Sequence, residues 1–328
     1  MKRKIILALS IVTVLCLSAE VLYSWGFFAH KRINRLAVFT LPHGIINFYK
    51  SRIEYITANA VAPDRRRHSM DEEPPRHYID IDHYGEGKLA FDSMPRGWKK
   101  AVEKYTEDTL LAYGIVPWHV AKVTGWLTQA FRDKNLDKIL YHSVDLGHYI
   151  GDAHVPLHTT VNYNGHLTNQ KGIHAFWESR LPELFSDDYD YFVGKAAYIE
   201  NPLFFAWEVV EASAAAKDSV LLFEAALTKK FATDQKYSYE ERGQKTIKVY
   251  SESYSKAYHE AMNGMVERRM RSAIHAIGSL WYTAWVNAGK PDLESITDKE
   301  MSKELKAQLK EEERMWRTGK IKGREHGQ

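Results

Sequence analysis

Residues 136–158 read LDKILYHSVDLGHYIGDAHVPLH. From Leu136 to Tyr149 the apolar residues recur at spacings of three and four, the period of an α-helix with one buried face. Pro156, which has no N–H to give the preceding turn, ends that helix. The same stretch carries His148 and Asp152 four positions apart, and after a short Asn/Gly-rich passage GIHAFWE carries His174 and Glu178 at the same spacing. On a helix this spacing sets both members of a pair on one face, close enough to share an ion. The first expectation is therefore a helical, hydrolytic metalloenzyme.

Working outward, the same helical period returns at Trp118 to Phe131, Phe204 to Phe231 and Tyr254 to Val286, with few Gly or Pro interruptions, while strand-like alternation is scarce. The fold class expected is all-α, a single multi-helix domain over 25–290 with long active-site loops. Those loops are Ala62 to Gly97, rich in Pro, Asp, Arg and His, and Thr159 to Gly172, rich in Asn, Gly and Thr. After Pro291 the chain becomes a charged run to residue 328, whose apolar stripe is only Met301, Leu305 and Leu309; it reads as a solvated helix or tail.

The chain has 328 residues, 45% hydrophobic and 27% charged, an ordinary globular balance. Its formal charge of +3 includes +2 from Lys2, Arg3, Lys4 and Glu20, which speaks against a broad nucleic-acid-binding field. MKRK, the apolar run Ile5 to Leu17 and the small residues Ser18, Ala19 and Ser24 form the pattern of an export signal over 1–24, cut just before Trp25. An uncleaved anchor helix is the alternative. Export leads to the periplasm or the medium. Cys16, the one cysteine, lies within the signal, and Leu15 before it argues against lipid attachment there. The mature chain then has no thiol for disulfides, nucleophilic attack or zinc.

With cysteine gone, the donors left for zinc are imidazole and carboxylate. Six of the 15 histidines fall between Tyr141 and Glu178. His148 and Asp152 sit on the helix and His158 on the segment leaving it. His154 points to another face and reads as supporting or structural, His142 as exposed or holding a loop, and Asp145 as an acceptor for a ligating imidazole. Upstream, APDRRR and RHYIDID add Asp64, His77, Asp80 and Asp82, and Arg65 to Arg67 suit a phosphate, whose oxygens a guanidinium grips as a fork. WGFFAH adds His30 and, after cleavage, the free amino group and carbonyl of Trp25, which together chelate a metal.

WGFFAH, the Asp of APD, the His of HYID, HYIGDAHVPLH and HAFWE occur in this order over residues 25–178. With these five parts the chain resembles the superfamily that unites bacterial zinc-dependent phospholipases C with fungal and plant single-strand nucleases. The resemblance implies a mostly helical fold and three zinc ions. Asp64, His77, His148 and Asp152 would hold one; His158, His174 and Glu178 a second; Trp25, His30 and the bridging Asp152 the third. It implies catalysis by a zinc-bridging hydroxide attacking phosphorus, with Arg67 on the phosphate. Arg65 and Arg66, adjacent, leave that register open. Asp80 is a candidate to orient the hydroxide, or else supports His77.

The two branches divide on substrate. The short spacing in WGFFAH is that of the nucleases, although Ala29 stands where they usually have glycine. Glu178 as last ligand, where nucleases usually have aspartate, and the short connection from His158 to His174 are phospholipase features. The absence of mature cysteines departs from the disulfide-bearing fungal nucleases. Tyr78, Tyr84, Tyr163 and Phe176 could stack a base or cage a choline group. A phospholipase C-like phosphodiesterase with transient membrane-surface contact is the first expectation. A nuclease of the endonuclease/3'-nucleotidase type on single-stranded nucleic acid is the second, and an exported non-catalytic zinc-binding protein the third.

Overall fold

The computed structural model describes residues 26–242 and 245–323. The expected signal and Trp25 lie outside the described residues. The longer helices are α1 (Gly26–Ala37), α3 (Val116–Arg132), α4 (Leu136–Ala153), α5 (Pro202–Thr228), α6 (Met265–Asn287) and α7 (Lys303–Thr318), with the short α2 (Ala62–Arg66) between α1 and α3. The molecule is all-α apart from one hairpin, β1 (Tyr237–Arg242) and β2 (Lys245–Tyr250), the only strands among the described residues.

The helix starts follow from side chains that satisfy otherwise unpaired N–H groups. Asn135 accepts from the N–H of Lys138 to open α4, Asn201 from Leu203 and Phe204 to open α5, and Ser302 from Leu305 to open α7. α4 is the axis of the fold: every residue from Ser143 to Ala153 is buried, and α1, α3 and α6 all pack on it. Trp281 of α6 stacks on Tyr49 at 4.6 Å and donates its indole N–H to the Ser143 carbonyl at 2.9 Å. Burying these rings while satisfying their polar handle locks α6 to α4.

The approach of α1 to α4 depends on two glycines. A Cβ at Gly147 would collide with Asn34 Oδ1, and one at Gly151 would lie 2.9 Å from Ile33 Cδ1 and 3.2 Å from His30 Nδ1. Only hydrogen at both positions lets the His30 ring reach the carboxylate of Asp152.

Several expectations are corrected. The stretch from Tyr254 to Val286 is two helices, Glu252–Ala261 and α6, because Asn263 and Gly264 take φ values of 46° and 71°, the left-handed region that a right-handed helix cannot contain. The hairpin was not anticipated; Tyr237 faces Tyr250 across it, and Tyr250 stacks on Phe176 at 3.8 Å, so aromatic packing holds it to the core. The loop from Ala62 to Gly97 contains α2, tight turns at Pro74–His77 and Ile81–Tyr84, and the helix Gly87–Ser93. The charged run after Pro291 forms a helix, one of its two expected states, but not a free one: α7 packs on α2 with Leu305 and Glu312 buried. No helix among the described residues is long and apolar enough to cross a membrane.

Candidate metal centre

Six separate elements deliver eight donor side chains to one place. α1 brings His30, α2 Asp64, the turn Pro74–His77 its last residue, α4 His148 and Asp152, and the turn Pro156–Thr159 His158. The helical segment 173–185 brings His174 and Glu178, and it widens into a π-turn at Phe176–Arg180 that includes Glu178. Such turns are frequent where a helix must aim a functional side chain.

The two oxygens of Asp152 face different imidazoles. Oδ1 lies 3.1 Å from His30 Nε2, while Oδ2 lies 2.9 Å from His77 Nδ1 and 3.2 Å from His148 Nε2. Asp64 Oδ1 completes the second set, 3.8 Å from His77 Nδ1 and 3.7 Å from His148 Nε2. Glu178 divides in the same manner: Oε2 is 2.6 Å from His174 Nε2 and 3.5 Å from His158 Nε2, and Oε1 is 3.7 Å from His30 Nε2. Three groups of donors result, His30/His148/Asp152, Asp64/His77/His148 and His158/His174/Glu178, each with its donor atoms within 4.8 Å of one another. A tetrahedral ion with bonds of about 2.0–2.1 Å spaces its ligands roughly 3.4 Å apart, so these separations suit zinc-sized ions.

The opposite edges of three of the rings are tied down by main-chain carbonyls. His148 Nδ1 donates to the Ala60 carbonyl at 2.9 Å, His158 Nδ1 to that of His77 at 2.7 Å, and His174 Nδ1 to that of Tyr163 at 3.2 Å. For His77 the roles of the nitrogens reverse: Nε2 faces Glu73 Oε1 at 3.4 Å and Nδ1 faces the cluster. Each of the three carbonyl bonds leaves the other nitrogen's lone pair aimed inward, the usual support of a metal-ligating histidine.

The field in the cluster favours cations. Burial opposes charge on His30, yet hydrogen bonds to Asp152 and Glu178 push its pKa up to about 10. Burial likewise opposes charge on His158, but Asp152 and Glu178 push it up to about 9. Asp152 and Glu178 themselves would be raised by burial, and the surrounding histidines hold both well below the ordinary carboxylate range. Buried anions need compensating positive charge, and protons and divalent ions compete to supply it. The Asp64 and Glu178 side chains are 18% and 11% exposed, while the histidines of the cluster are nearly sealed.

The three arginines lie in different surroundings. Arg65 lies against the Trp316 ring at 5.3 Å, and Arg66 is held 2.8 Å from Asp145. Arg67 lies 3.9 Å from Asp64 Oδ1; burial lowers its pKa, and Asp64, Asp152 and Glu178 raise it. Arg67 stands in the field of Asp64, Asp152 and Glu178, and Arg65 in that of Asp64. Asp145 pairs with Arg66 rather than with a ligating imidazole. His154 is structural, between the Ile150 carbonyl and Ser272 Oγ, and His142 packs beside Trp126. Asp80 is buried but belongs to none of the three donor groups. Phe176 is a core residue stacked between Tyr250 and Tyr258, not a substrate platform. Trp25 is outside the described residues, but its neighbour Gly26 sits at the cluster, where a Cβ would lie 3.2 Å from Glu178 Oε1.

Two supporting groups escaped the sequence reading. Glu73, fully buried, joins Arg66, Arg76, Tyr149 and His77; its one legible sign was the spacing of four to His77. Arg269 of α6 donates to the His154 carbonyl at 2.7 Å and to Ser213 Oγ, and Ser213 donates to the Ala153 carbonyl, so together they cap the C-terminal end of α4. No protein-family model and no curated protein matches the chain.

Proposed function

We propose that this chain is an exported zinc-dependent phosphodiester hydrolase of the phospholipase C type. The observation that carries the reading is the division of Asp152, one carboxylate facing two sets of imidazoles through separate oxygens. His77, His148, Asp64 and Asp152 would hold one ion, His158, His174 and Glu178 another, and His30 with Asp152 a third. Zinc bound there would supply a Lewis acid for a phosphoryl oxygen and a water acidified toward neutrality.

The chain's own residues do the rest. Asp152 holds neighbouring sites in a fixed relation, so a phosphate bridging them is oriented before it reacts. Arg67 adds a fixed positive group beside Asp64, where it would stabilise charge growing on non-bridging oxygens. The exposed edges of Asp64 and Glu178 mark the approach for substrate, which a sealed structural site would lack. No nucleophilic side chain is needed.

Glu178 as the final acid and the near-neutral charge support the phospholipid reading. The short spacing in WGFFAH favours the second, a single-strand nuclease. Parallel assays of zinc-loaded protein on phosphatidylcholine vesicles and on single-stranded DNA and RNA, with and without chelator, separate the two. Chelator-sensitive release of phosphocholine is expected. Cleavage of the polynucleotides alone gives the nuclease, and hydrolysis of neither leaves a zinc-binding protein.

A further inference from the structure

The C-terminal helix α7 supplies no donor to the metal centre, yet it lies over the elements that do. Trp316 packs its ring 5.6 Å from Phe27, at the start of the helix that carries His30, and 5.3 Å from the Arg65 guanidinium, next to Asp64. Beyond α7, the Lys322 N–H donates to the Arg67 carbonyl at 2.8 Å, and Gly323 lies against Pro74.

Beneath the helix is a chain of buried charge. Glu312 of α7 faces Arg66 Nη1 at 3.8 Å. Arg66 reaches Asp145 of α4 at 2.8 Å and Glu73 at 3.4 Å. Glu73 accepts from Tyr149 of α4 and from Arg76 at 2.7 Å, and faces His77 Nε2 at 3.4 Å. Arg66, Glu73 and His77 are at most 1% exposed, so little water is present to screen one from the next. A buried arginine whose carboxylate partners are removed is costly, and it relieves that cost by shifting. Glu73, which lies between Arg66 and His77, is the contact through which such a shift would reach the His77 ring.

We infer that α7 is a positioning element of the metal centre: Glu312 and Trp316 fix Arg66 and the Asp64 segment, and Glu73 carries that order to His77. This rests on the proposed reading of His77 and Asp64 as metal ligands. The C-terminal segment thereby governs how tightly the centre keeps its ions, although it touches none of them. The effect is on retention rather than on the chemical step, so the helix differs from a surface appendage in a measurable way.

The test is the rate at which zinc-loaded full-length protein gives up zinc to an excess of a chromophoric chelator, at a temperature well below unfolding. Glu312→Gln, Glu73→Gln and Trp316→Ala should each release zinc about tenfold faster or more, the scale seen when supports of metal ligands are removed. Trp316→Phe, which keeps an aromatic ring there, and Lys310→Ala, on the exposed face of the same helix, should match wild type. Glu73→Gln keeps its volume and leaves α7 untouched, so it reads the relay even if Trp316→Ala does not fold. A wild-type rate in Glu312→Gln would overturn the role of α7 even if Glu73→Gln is fast, and a wild-type rate in Glu73→Gln would overturn the relay to His77; either leaves the metal centre standing. A wild-type protein that takes up no zinc would instead overturn the reading on which it rests.

Discussion

His158 Nδ1 lies 2.7 Å from the main-chain carbonyl of His77, so a donor of one group is aimed by the backbone of a donor of another. The two groups are thus coupled through the chain rather than through side chains alone. Removing the His77 ring leaves the carbonyl that orients His158.

His77→Ala should therefore lose the ion of the Asp64/His77/His148 group and keep that of His158/His174/Glu178. His174→Ala should do the reverse. Asp152→Asn, which weakens a carboxylate facing both His30 and His77, should lose more metal than either. Elemental analysis of each purified variant against wild type checks the order. Equal losses in all three would show a single cooperative unit rather than separable sites.

Arg67 provides a second test because it stands in the field of Asp64, Asp152 and Glu178 without being a donor to metal. Arg67→Ala should retain its zinc while turnover falls about 10²–10³-fold, the usual scale for one lost group stabilising transition-state charge. Arg67→Lys keeps a charge but loses the planar fork, and should recover only part of the rate. Steady-state kinetics on the substrate identified by the vesicle and polynucleotide assays, with metal content measured alongside, decides this. A loss of zinc in Arg67→Lys would make the residue a support for Asp64 instead.

How much of this was legible in sequence depends on whether the signal was local. The pair His148 and Asp152 stood out because helix spacing is read directly from residue numbers, and the same holds for His174 and Glu178, even though a π-turn lies between them. Asp64 and His77 come from a stretch with no periodicity; the residue types marked them, with Asp80 and Asp82, as candidate donors, and the resemblance picked them out of that set. Glu73 and Arg269 act through partners distant in the chain, Tyr149 for one and the α4 carbonyls for the other, and no local pattern encodes such pairings. α7 misled for a different reason. Charge was taken as a sign of solvation, but Glu312 is buried facing Arg66, Leu305 of the thin apolar stripe is buried too, and Trp316, outside that stripe, packs beside Phe27.

Gly147 makes a packing prediction. Its missing Cβ is the space occupied by Asn34 Oδ1, between α1 and α4. Gly147→Ala gains helix propensity but must push α1 away, and overpacking of this kind costs about 1–3 kcal/mol. A lower midpoint in chemical denaturation is expected, together with weaker metal binding, since His30 rides on the displaced helix. Gly125 on α3, where an added Cβ meets nothing within 4 Å, is the control: Gly125→Ala has the propensity gain without the clash, about 0.5–1 kcal/mol, so it should raise the midpoint and leave metal binding unchanged.

The last prediction concerns acid. Burial holds His119 down to about 3, with Arg76 adding to the effect, and burial holds His142 down to about 4, with Lys138 adding. In the unfolded chain both return to the ordinary histidine value near 6.5. Between these limits the unfolded state binds more protons than the folded one, so stability must rise with pH. The contribution of these two residues is complete above about pH 6.5 and is lost as pH falls from there toward 3 to 4. Denaturation midpoints of metal-free protein measured from pH 7 to pH 4 should therefore decline, and His119→Gln with His142→Gln should flatten the decline. An unchanged slope in the double variant would assign the acid sensitivity to other groups.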